Sequence, residues 1–193
     1  MTLVSIVILN WNGKDYLEKF LPVLIENCQM EGAEIVVADN CSSDGSLEFM
    51  EAEHPDIRLI KLDRNYGFTG GYIRAFEQLD SKYFLLLNSD IEVTPGWLEP
   101  LVDYMEQHPE CGACTPKIKD YNRKDHFEYA GAAGGYLDRY GYPFCRGRLF
   151  DVLEEDRGQY DQVTQVFWGS GACLMVRSDL YRKAGGLDEQ FFA

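Results

Sequence analysis

The chain has 193 residues, of which 46% are hydrophobic and 26% charged, and its net charge is −14 at pH 7. This composition is that of one ordinary folded domain, so wholesale disorder is excluded. The acidity argues against non-specific binding to nucleic acid or to anionic membranes, because both need a positive field. A metal ion or backbone N–H groups can still attract a small anionic ligand.

The first half of the chain alternates strand-like and helix-like segments. Runs rich in β-branched residues predict buried strands, and apolar residues at helical spacing predict helices between them. Because the loops are short, this order predicts an α/β fold with a parallel sheet and helices on both faces. The predicted strands are 3–9, 34–38, 57–62 and 83–87, and the predicted helices are 15–27, 46–53 and one that follows the glycine-bearing loop Arg64–Gly71 and ends near Leu79.

The second half of the chain has a weaker pattern. A helix is predicted at Pro95–Gln107 and a strand near Cys111–Ile118. Residues 120–165 are rich in Gly, Tyr, Asp and Arg without a sustained period, which predicts long loops, with a hairpin as an option. A strand-like run at Val166–Val176 precedes Ser178, which we expect to be the N-cap of a short helix.

Polar segments follow the four strands predicted in the first half: Asn10–Asn12, Asp39–Asp44, Arg64–Gly71 and Asn88–Asp90. In a parallel sheet the carboxyl ends of the strands meet at one edge, and ligands bind there. We therefore expect these four segments to lie along a single rim of the sheet.

Two aspartates stand out at this rim. Asp39 ends the second strand segment, and Asp90 follows the fourth. A carboxylate at the end of a buried strand is unfavourable without a partner, and two of them facing one cleft suit a hard divalent cation together with a ligand rich in hydroxyl groups. An Asx-turn is the alternative for Asp39, and a helix cap is the better explanation for Asp44.

Several other kinds of site are excluded by missing motifs. No G-x-x-x-x-G-K-[ST] phosphate loop is present, and no G-x-G-x-x-G follows the first strand. The run Trp168–Gly171 is not a G-x-S-x-G nucleophile elbow. Cys111 and Cys114 lack a second pair of ligands at zinc-finger spacing, so small buried side chains explain them better.

The apolar stretches are too short to be membrane spans. The longest lie around Leu3–Leu9 and Tyr83–Leu87, far below the roughly 20 residues that cross a bilayer. Met1 runs directly into a strand-like segment, so no secretory leader is indicated. Without a leader, the six cysteines are expected to be reduced in a cytoplasmic protein, placed at the inner face of the membrane in its full-length form.

Five segments carry a family resemblance. In their order and spacing they resemble family 2 glycosyltransferases of the GT-A fold, nearest to the rhamnosyltransferase-like branch. The resemblance covers nearly the whole chain and implies a single GT-A domain over 1–193, with a nucleotide-sugar half at 1–92 and an acceptor half at 93–193 that is incomplete at its C-terminus. The segments are VSIVILNWNG, EIVVADNCSSDGS, RNYGFTGGYIRAF, YFLLLNSDIEVTPGWLEPLV and FWGSGACLMVRSDLYRKAGGLDEQFF.

The resemblance implies roles for particular residues. Asp39 would accept a hydrogen bond from the nucleobase, and Asp90, the last residue of a D-x-D-like motif, would coordinate Mg²⁺ or Mn²⁺ on the diphosphate. Asn88 stands where many members have the first Asp of that motif. The residues implied in nucleotide binding are Leu9, Asn10, Trp11, Asp39, Asn65, Gly67 and Ser89, and those on the acceptor and donor-sugar side are Trp168, Gly169, Ser170 and Gly171.

The implied reaction is transfer of a sugar, with inversion, from a UDP- or dTDP-sugar to a hydroxyl of a glycan or lipid-linked acceptor in cell-surface polysaccharide synthesis. The general base is expected just beyond Ala193, and Asp188 and Glu189 are assigned to structure. We therefore expect this chain to bind donor and to turn over poorly. A non-catalytic nucleotide-sugar-binding scaffold and a sugar-1-phosphate nucleotidyltransferase are the alternatives, and an oligomer is compatible with either.

Overall fold

The computed structural model describes residues 2–191. The strands and helices follow one another in the alternating order predicted for the first half of the chain. The strands are β1 (Thr2–Asn10), β2 (Ala33–Asp39), β3 (Arg58–Lys61), β4 (Ser81–Asn88), β5 (Ala113–Cys114), β6 (Gly135–Leu137), β7 (Pro143–Cys145), β8 (Arg148–Leu149), β9 (Val152–Leu153) and β10 (Cys173–Arg177). The helices are α1 (Lys14–Glu26), α2 (Ser46–Glu53), α3 (Gly67–Phe76), α4 (Glu99–Gln107) and α5 (Ser178–Ala184).

The central sheet has six strands in the order β3-β2-β1-β4-β10-β5. β1 pairs in parallel with β2 on one side and with β4 on the other, and β2 pairs in parallel with β3. The register places Asn10 opposite Asp39, and Leu9 opposite Asn88. The carboxyl ends of β1, β2 and β4 are therefore level with one another, as the topology predicted.

The core of this sheet consists of the apolar runs that predicted the strands. Val4, Ile6 and Val7 of β1 are fully buried, as are most residues of β4. Helix α3 packs on β1 and β2, and Gly71 lets it approach closely, because a Cβ there would lie 2.7 Å from Leu9 Cδ1. The close helix–strand contact holds the start of α3 near the end of β1.

Several boundaries differ from the sequence predictions, and the strand predicted near Cys111–Ile118 is confined to Ala113–Cys114. Helix α3 begins at Gly67, so the predicted loop Arg64–Gly71 is wrong over its second half. Helix α4 begins at Glu99 rather than at Pro95, because the intervening Gly96 has a φ of +69° that helical residues do not adopt. Ser178 is the first residue of α5 and not its N-cap; its hydroxyl donates to the carbonyl of Ser81 instead.

The chain divides into two compact units. The first comprises residues 2–113 and 175–191, and the second comprises residues 114–174. This geometric boundary differs from the functional division at residue 92, which concerns ligand contacts and stays a prediction. Within residues 2–191, no helix is both long and apolar enough to cross a membrane, and all six cysteines are free thiols.

The second unit contains a four-stranded antiparallel sheet in the order β6-β7-β8-β9. The hairpin option for 120–165 is therefore confirmed and extends to three successive antiparallel pairings, while most of the remaining residues in this range form loops, as predicted. Strands of two or three residues are too short to show a hydrophobic period, so the sequence pattern could not reveal them. The strand predicted at Val166–Val176 is confined to Cys173–Arg177, because Gly169 and Gly171 weaken strand formation before it.

Candidate functional site

A buried hydrogen bond joins the ends of β1 and β2. Asn10 Nδ2 donates to Asp39 Oδ2 at 3.0 Å, and neither residue is more than 2% exposed. The other carboxylate oxygen, Asp39 Oδ1, accepts the N–H of Ser42 at 2.8 Å. The carboxylate is therefore held in place by one side chain and one backbone group, which offsets the unfavourable burial of its charge.

Asp39 makes both kinds of contact considered for it above, an Asx-turn within its own loop and a contact at the sheet edge. The bond from the Ser42 N–H is the local turn that an Asx side chain makes with its own loop. The bond from Asn10 is a tertiary contact across the sheet edge. Since each carboxylate oxygen has more than one acceptor position, Asp39 keeps the capacity to accept a further hydrogen bond from a ligand.

The loop after β2 is fastened to the loop after β1. Ser42 Oγ accepts from Asn10 Nδ2 at 3.2 Å and from the Asn12 N–H at 2.9 Å, while Asn12 Oδ1 accepts the Ser43 N–H at 2.8 Å. Asn12 and Cys41 have φ values of +50° and +64°, which non-glycine residues seldom adopt. Strained backbone that is held by several hydrogen bonds is typical of functional loops.

Asn40 connects the loop after β2 to the start of α3. Its Nδ2 donates to Asn65 Oδ1 at 2.9 Å and to the Gly67 carbonyl at 3.0 Å, and its Oδ1 accepts the Tyr66 N–H at 2.9 Å. Asn65 Oδ1 also accepts the Gly67 N–H at 2.8 Å. Asn65 and Gly67, both expected at the site, are thus positioned by a 2% exposed amide.

Gly13 brings the loop after β1 against the loop after β4. A Cβ at Gly13 would lie 2.6 Å from Asn10 Oδ1 and 3.4 Å from Ser89 Oγ. Asn10 Oδ1 is buried and has no hydrogen-bond partner in the described residues. The close approach at Gly13 therefore places Ser89 near the Asn10–Asp39 pair.

Trp11 and Asp90 are two of the solvent-exposed residues at this edge. Trp11 is 57% exposed, directly after the buried Asn10. Asp90 is exposed in the turn after β4, beside the half-buried Asn88 and Ser89. An exposed indole beside a polar rim offers a flat stacking surface, and an exposed carboxylate offers a hard oxygen ligand.

The residues around Asp90 fit a metal ion that a substrate also ligates. Within residues 2–191, no group of three or more His, Cys, Asp and Glu side chains could hold a metal by itself. Mg²⁺ commonly takes one or two protein carboxylates and completes its shell with water and substrate phosphates. The single carboxylate of Asp90, with the hydroxyl of Ser89 before it, meets that lower requirement.

Asp44 has a structural role, as predicted. Its Oδ1 accepts the Ser46 N–H at 3.0 Å at the start of α2, and its Oδ2 accepts the Lys14 N–H at 2.8 Å at the start of α1. Burial alone would raise the pKa of this carboxyl, but the hydrogen bonds from Ser46 and Lys14 lower it overall. One side chain therefore caps two helices.

The C-terminal part of the first unit lies against α3. Glu189 forms an ion pair with Arg74 at 2.5 Å, and this hydrogen bond raises the pKa of the guanidinium. Asp188 Oδ1 accepts the Gln190 N–H at 2.9 Å. Both acidic residues have the structural roles expected of them, and the predicted general base beyond Ala193 lies outside the described residues.

Trp168, Gly169, Ser170 and Gly171 belong to the second unit. The Trp168 ring packs on the cluster that contains Phe127 and Cys145, and it lies 2.3 Å from where a Cβ of Gly135 would stand. Ser170 Cβ lies 2.7 Å from where a Cβ of Gly131 would stand. These contacts give Trp168 and Ser170 a packing role in the second unit, and the role of the segment on the acceptor side stays a prediction.

Asn40 and Ser42 were missed as site residues by the sequence reasoning. Both lie in the quoted segment EIVVADNCSSDGS, where only Asp39 was assigned a role at the site. A polar residue directly after a buried strand was the available signal, and Asn40 satisfies it as well as Asp39 does. Their partners, Asn10 and Asn65, are distant in sequence, so the pairings themselves were not visible.

Comparisons with known proteins show the family to which the chain belongs. The family model described as Glycosyl transferase family 2 matches residues 5–183. The N-acetylglucosaminyl-diphospho-decaprenol L-rhamnosyltransferase of Mycobacterium tuberculosis is 26% identical to the chain, over 98% of this chain and 66% of the relative. This chain thus spans just under two thirds of that relative's length.

Two solved structures share the fold. S. aureus TarS 1–349 in complex with UDP-GlcNAc has a TM-score of 0.64 and 16% identity, covering 95% of this chain and 48% of that one. The mannosyltransferase PcManGT from Pyrobaculum calidifontis, in complex with GDP-Man and Mn²⁺, also has a TM-score of 0.64 and 16% identity, covering 96% of this chain and 47% of that one. The fold is therefore GT-A, and the chain belongs to glycosyl transferase family 2.

Proposed function

We propose that this chain binds a nucleotide-diphosphate sugar at the carboxyl edge of the central sheet, and that a form that continues past residue 193 transfers the sugar to an acceptor hydroxyl. The observation that carries the proposal is the Asn10–Asp39 hydrogen bond at one end of this edge, level with the Asn88–Asp90 turn across β1. Strands two positions apart in a sheet are separated by roughly 10 Å. The edge thus offers separate places for a base and a diphosphate.

The nucleobase would bind at the ends of β1 and β2. Trp11 supplies an exposed aromatic face beside the buried pair, and Asp39 supplies a fixed acceptor for a base N–H. A fixed acceptor loses little conformational freedom on binding, which favours affinity. Leu9, Asn65, Gly67 and Ser89 would line the same site, with Asn40 and Ser42 as positioning residues.

The diphosphate would bind at the end of β4. Asp90, with Ser89 and Asn88 beside it, would hold Mg²⁺ or Mn²⁺ together with the phosphate oxygens. When bound, such an ion stabilises negative charge on a departing diphosphate. PcManGT, a structural neighbour, was solved with GDP-Man and Mn²⁺.

We expect the acceptor to be a sugar hydroxyl on a glycan or a lipid-linked carrier, because the mycobacterial relative is named for a diphospho-decaprenol acceptor. Inverting transfer needs a base that takes the proton of the attacking hydroxyl. That base is predicted beyond Ala193. The reaction would proceed by displacement at the anomeric carbon with the diphosphate as leaving group.

The test is transfer from a panel of labelled UDP-, dTDP- and GDP-sugars to lipid-linked acceptors in a membrane extract, using a form of the protein that continues past residue 193. We expect transfer from one donor, reduced at least a hundredfold by Asp90→Asn. Asp103→Asn, at an exposed position on α4, is the matched control and should keep full activity. Binding without transfer from any donor would favour a scaffold instead.

A further inference from the structure

The chain makes a tight turn where α5 ends. Gly185 and Gly186 have φ values of +91° and +79°, and their N–H groups donate to the carbonyls of Arg182 and Tyr181, respectively. This pair of bonds is the Schellman end of a helix, whose left-handed backbone glycine adopts without strain. The chain therefore leaves α5 in a fixed direction, and we name residues 185–191 the post-α5 segment.

The post-α5 segment contacts α3 at two points within the first unit. Glu189 forms an ion pair with Arg74, and the Phe191 carbonyl accepts a hydrogen bond from the Thr69 hydroxyl. Thr69 lies in the first turn of α3 and Arg74 in its second half. The segment is therefore attached to the helix that begins at the carboxyl edge of the central sheet.

Arg74 extends this attachment to the loop before α3. Its Nη1 donates to the Gly70 carbonyl at 3.0 Å, and its guanidinium carbon lies 3.7 Å from the centre of the Tyr66 ring. Gly70 leaves room for this contact, because a Cβ there would lie 3.0 Å from Tyr66 Cβ and 3.3 Å from Arg74 Nη1. A guanidinium over an aromatic face is attracted by the ring. One arginine therefore connects Glu189, the helix and Tyr66.

Tyr66 lies within the loop that contributes to the proposed nucleotide site. It stands between Asn65 and Gly67, both of which bond to Asn40, and its own N–H donates to Asn40 Oδ1. Its hydroxyl donates to Asp63 Oδ1 at 2.7 Å. The Tyr66 ring is therefore held by side chains while its backbone is held by the buried amide. A change at the ring should be felt by the backbone on either side of it.

We propose that Arg74 is a positioning residue for the nucleotide site, which couples the post-α5 segment to the Asn65–Gly67 loop. Nucleotide binding then tightens the segment, and release of the segment weakens nucleotide binding. A coupling of this kind is reciprocal, so that it can be measured at either end. The inference rests on the proposed function, because it assigns the nucleotide to the edge that this loop lines.

The first measurement is amide hydrogen exchange, followed by NMR at Tyr66 and Gly67 in the nucleotide-free chain. Arg74→Ala removes the ion pair, the bond to Gly70 and the ring contact, so exchange should be about fivefold faster. Arg64 also lies over the Tyr66 ring, 4.6 Å from its centre, so the loop keeps a guanidinium contact and the variant should fold. Arg74→Lys, which keeps the charge opposite Glu189, should restore part of the protection.

The ion pair has a matched control. Glu189→Gln should accelerate exchange at Tyr66 and Gly67 about twofold, since Glu189 is 56% exposed and its pair with Arg74 is weak by itself. Glu51, on α2, is 54% exposed and pairs with Lys61. Glu51→Gln removes an equally exposed ion pair elsewhere in the first unit and should leave the exchange at Tyr66 and Gly67 unchanged.

The second measurement adds Mn²⁺ and whichever of UDP, dTDP and GDP binds the parent chain. Nucleotide should slow exchange of the Phe191 amide, which donates to the Asp188 carbonyl, about fivefold in the parent chain. Arg74→Ala should lose this slowing and bind the nucleotide about fivefold more weakly in calorimetry. A residue that only stabilised the fold would not alter the difference that nucleotide makes at Phe191.

Unchanged exchange at Tyr66 and Gly67 in Arg74→Ala would overturn the inference, whether or not nucleotide binds. So would equal nucleotide-dependent slowing at Phe191 in the parent chain and in Arg74→Ala. Failure of the parent chain to bind any of the three nucleotides would contradict the proposed function instead. In that case the exchange at Tyr66 and Gly67 still decides whether Arg74 holds the loop.

Discussion

Asn10 Nδ2 and Asp39 Oδ2 lie 3.0 Å apart in a buried hydrogen bond that ties the ends of two adjacent parallel strands together. Both side chains are almost fully buried, and the second carboxylate oxygen of Asp39 accepts a hydrogen bond from the Ser42 N–H. Removing one side chain, or exchanging the donor for an acceptor, would leave a buried polar group without its hydrogen-bond partner. The loops after β1 and β2 therefore depend on a donor at one position and an acceptor at the other.

The first prediction exchanges these two residues. Asn10→Asp places two carboxylates together and Asp39→Asn places two amide groups together, so each should lower the free energy of unfolding by about 1–3 kcal/mol. The double exchange restores one donor and one acceptor and should recover most of the loss. Urea unfolding of the four proteins measures the coupling, and strictly additive effects would contradict the pairing.

The second prediction concerns Gly13. Gly13→Ala places a Cβ 2.6 Å from Asn10 Oδ1 and should displace the amide from Asp39, destabilising the fold by about 1–3 kcal/mol. Gly112→Ala is the control, because its Cβ would make an ordinary 3.4 Å contact with Leu180. Thermal unfolding should separate the two variants. Equal melting temperatures of the two variants would contradict the prediction, because they would show that the Asn10 side chain moves aside without destabilising the fold.

The third prediction separates capping from ligand binding. Asp44→Ala removes the acceptor for the Lys14 and Ser46 N–H groups and should destabilise the chain by about 1 kcal/mol. The pKa of Asp44 is lowered in the folded chain. Its stabilising contribution is therefore present at neutral pH and is lost as the pH falls through the folded pKa. Nucleotide affinity should not change, and a large loss of affinity would place Asp44 in the site.

The fourth prediction concerns acid stability of the second unit. Asp156 has a side chain only 5% exposed and pairs with Lys117 and Lys119, each at 2.9 Å. Burial would raise the pKa of this carboxyl, but the hydrogen bonds from the two lysines lower it from 3.8 to about 2. A shift of this size corresponds to about 2 kcal/mol, lost as the pH falls from about 4 toward 2.

Asp156→Asn should abolish most of that acid dependence in urea unfolding measured between pH 7 and pH 2.5. Asp161→Asn is the control, because Asp161 is 64% exposed and shares only Lys117. An exposed pair contributes less than about 1 kcal/mol. If the two variants unfold alike across this pH range, the buried position of Asp156 has no special effect.

The first half of the fold was predictable because each strand or helix contains several residues in the apolar pattern typical of its type. β1 and β4 are largely apolar, and α2 begins and ends at the predicted residues, Ser46 and Glu53. Parallel order follows from strand–helix alternation and short loops. Only a hairpin was anticipated for the four-stranded sheet of the second unit, because its strands have two or three residues and are set by pairing with one another.

The sheet edge that carries the proposed site was predictable, but the contacts within it were not. Strand order places Asp39 and Asp90 at one edge, and motif order names the family. Asn40 binding Asn65, and Asn10 binding Asp39, are contacts between residues 25 and 29 positions apart. No local pattern encodes such a contact, since it arises only when two strand ends are brought level by the register of the sheet.

Binding of a nucleotide diphosphate at this edge, through a divalent cation and a fixed acceptor, is best measured by titration calorimetry of the chain with UDP, dTDP and GDP, with and without Mn²⁺. We expect binding of one nucleotide that Mn²⁺ strengthens. The strengthening should be lost in Asp90→Asn, and the affinity should be reduced at least tenfold in the folded Asn10→Asp/Asp39→Asn exchange. Absence of binding by all three nucleotides in the presence of Mn²⁺, or binding unaffected by either variant, would contradict it.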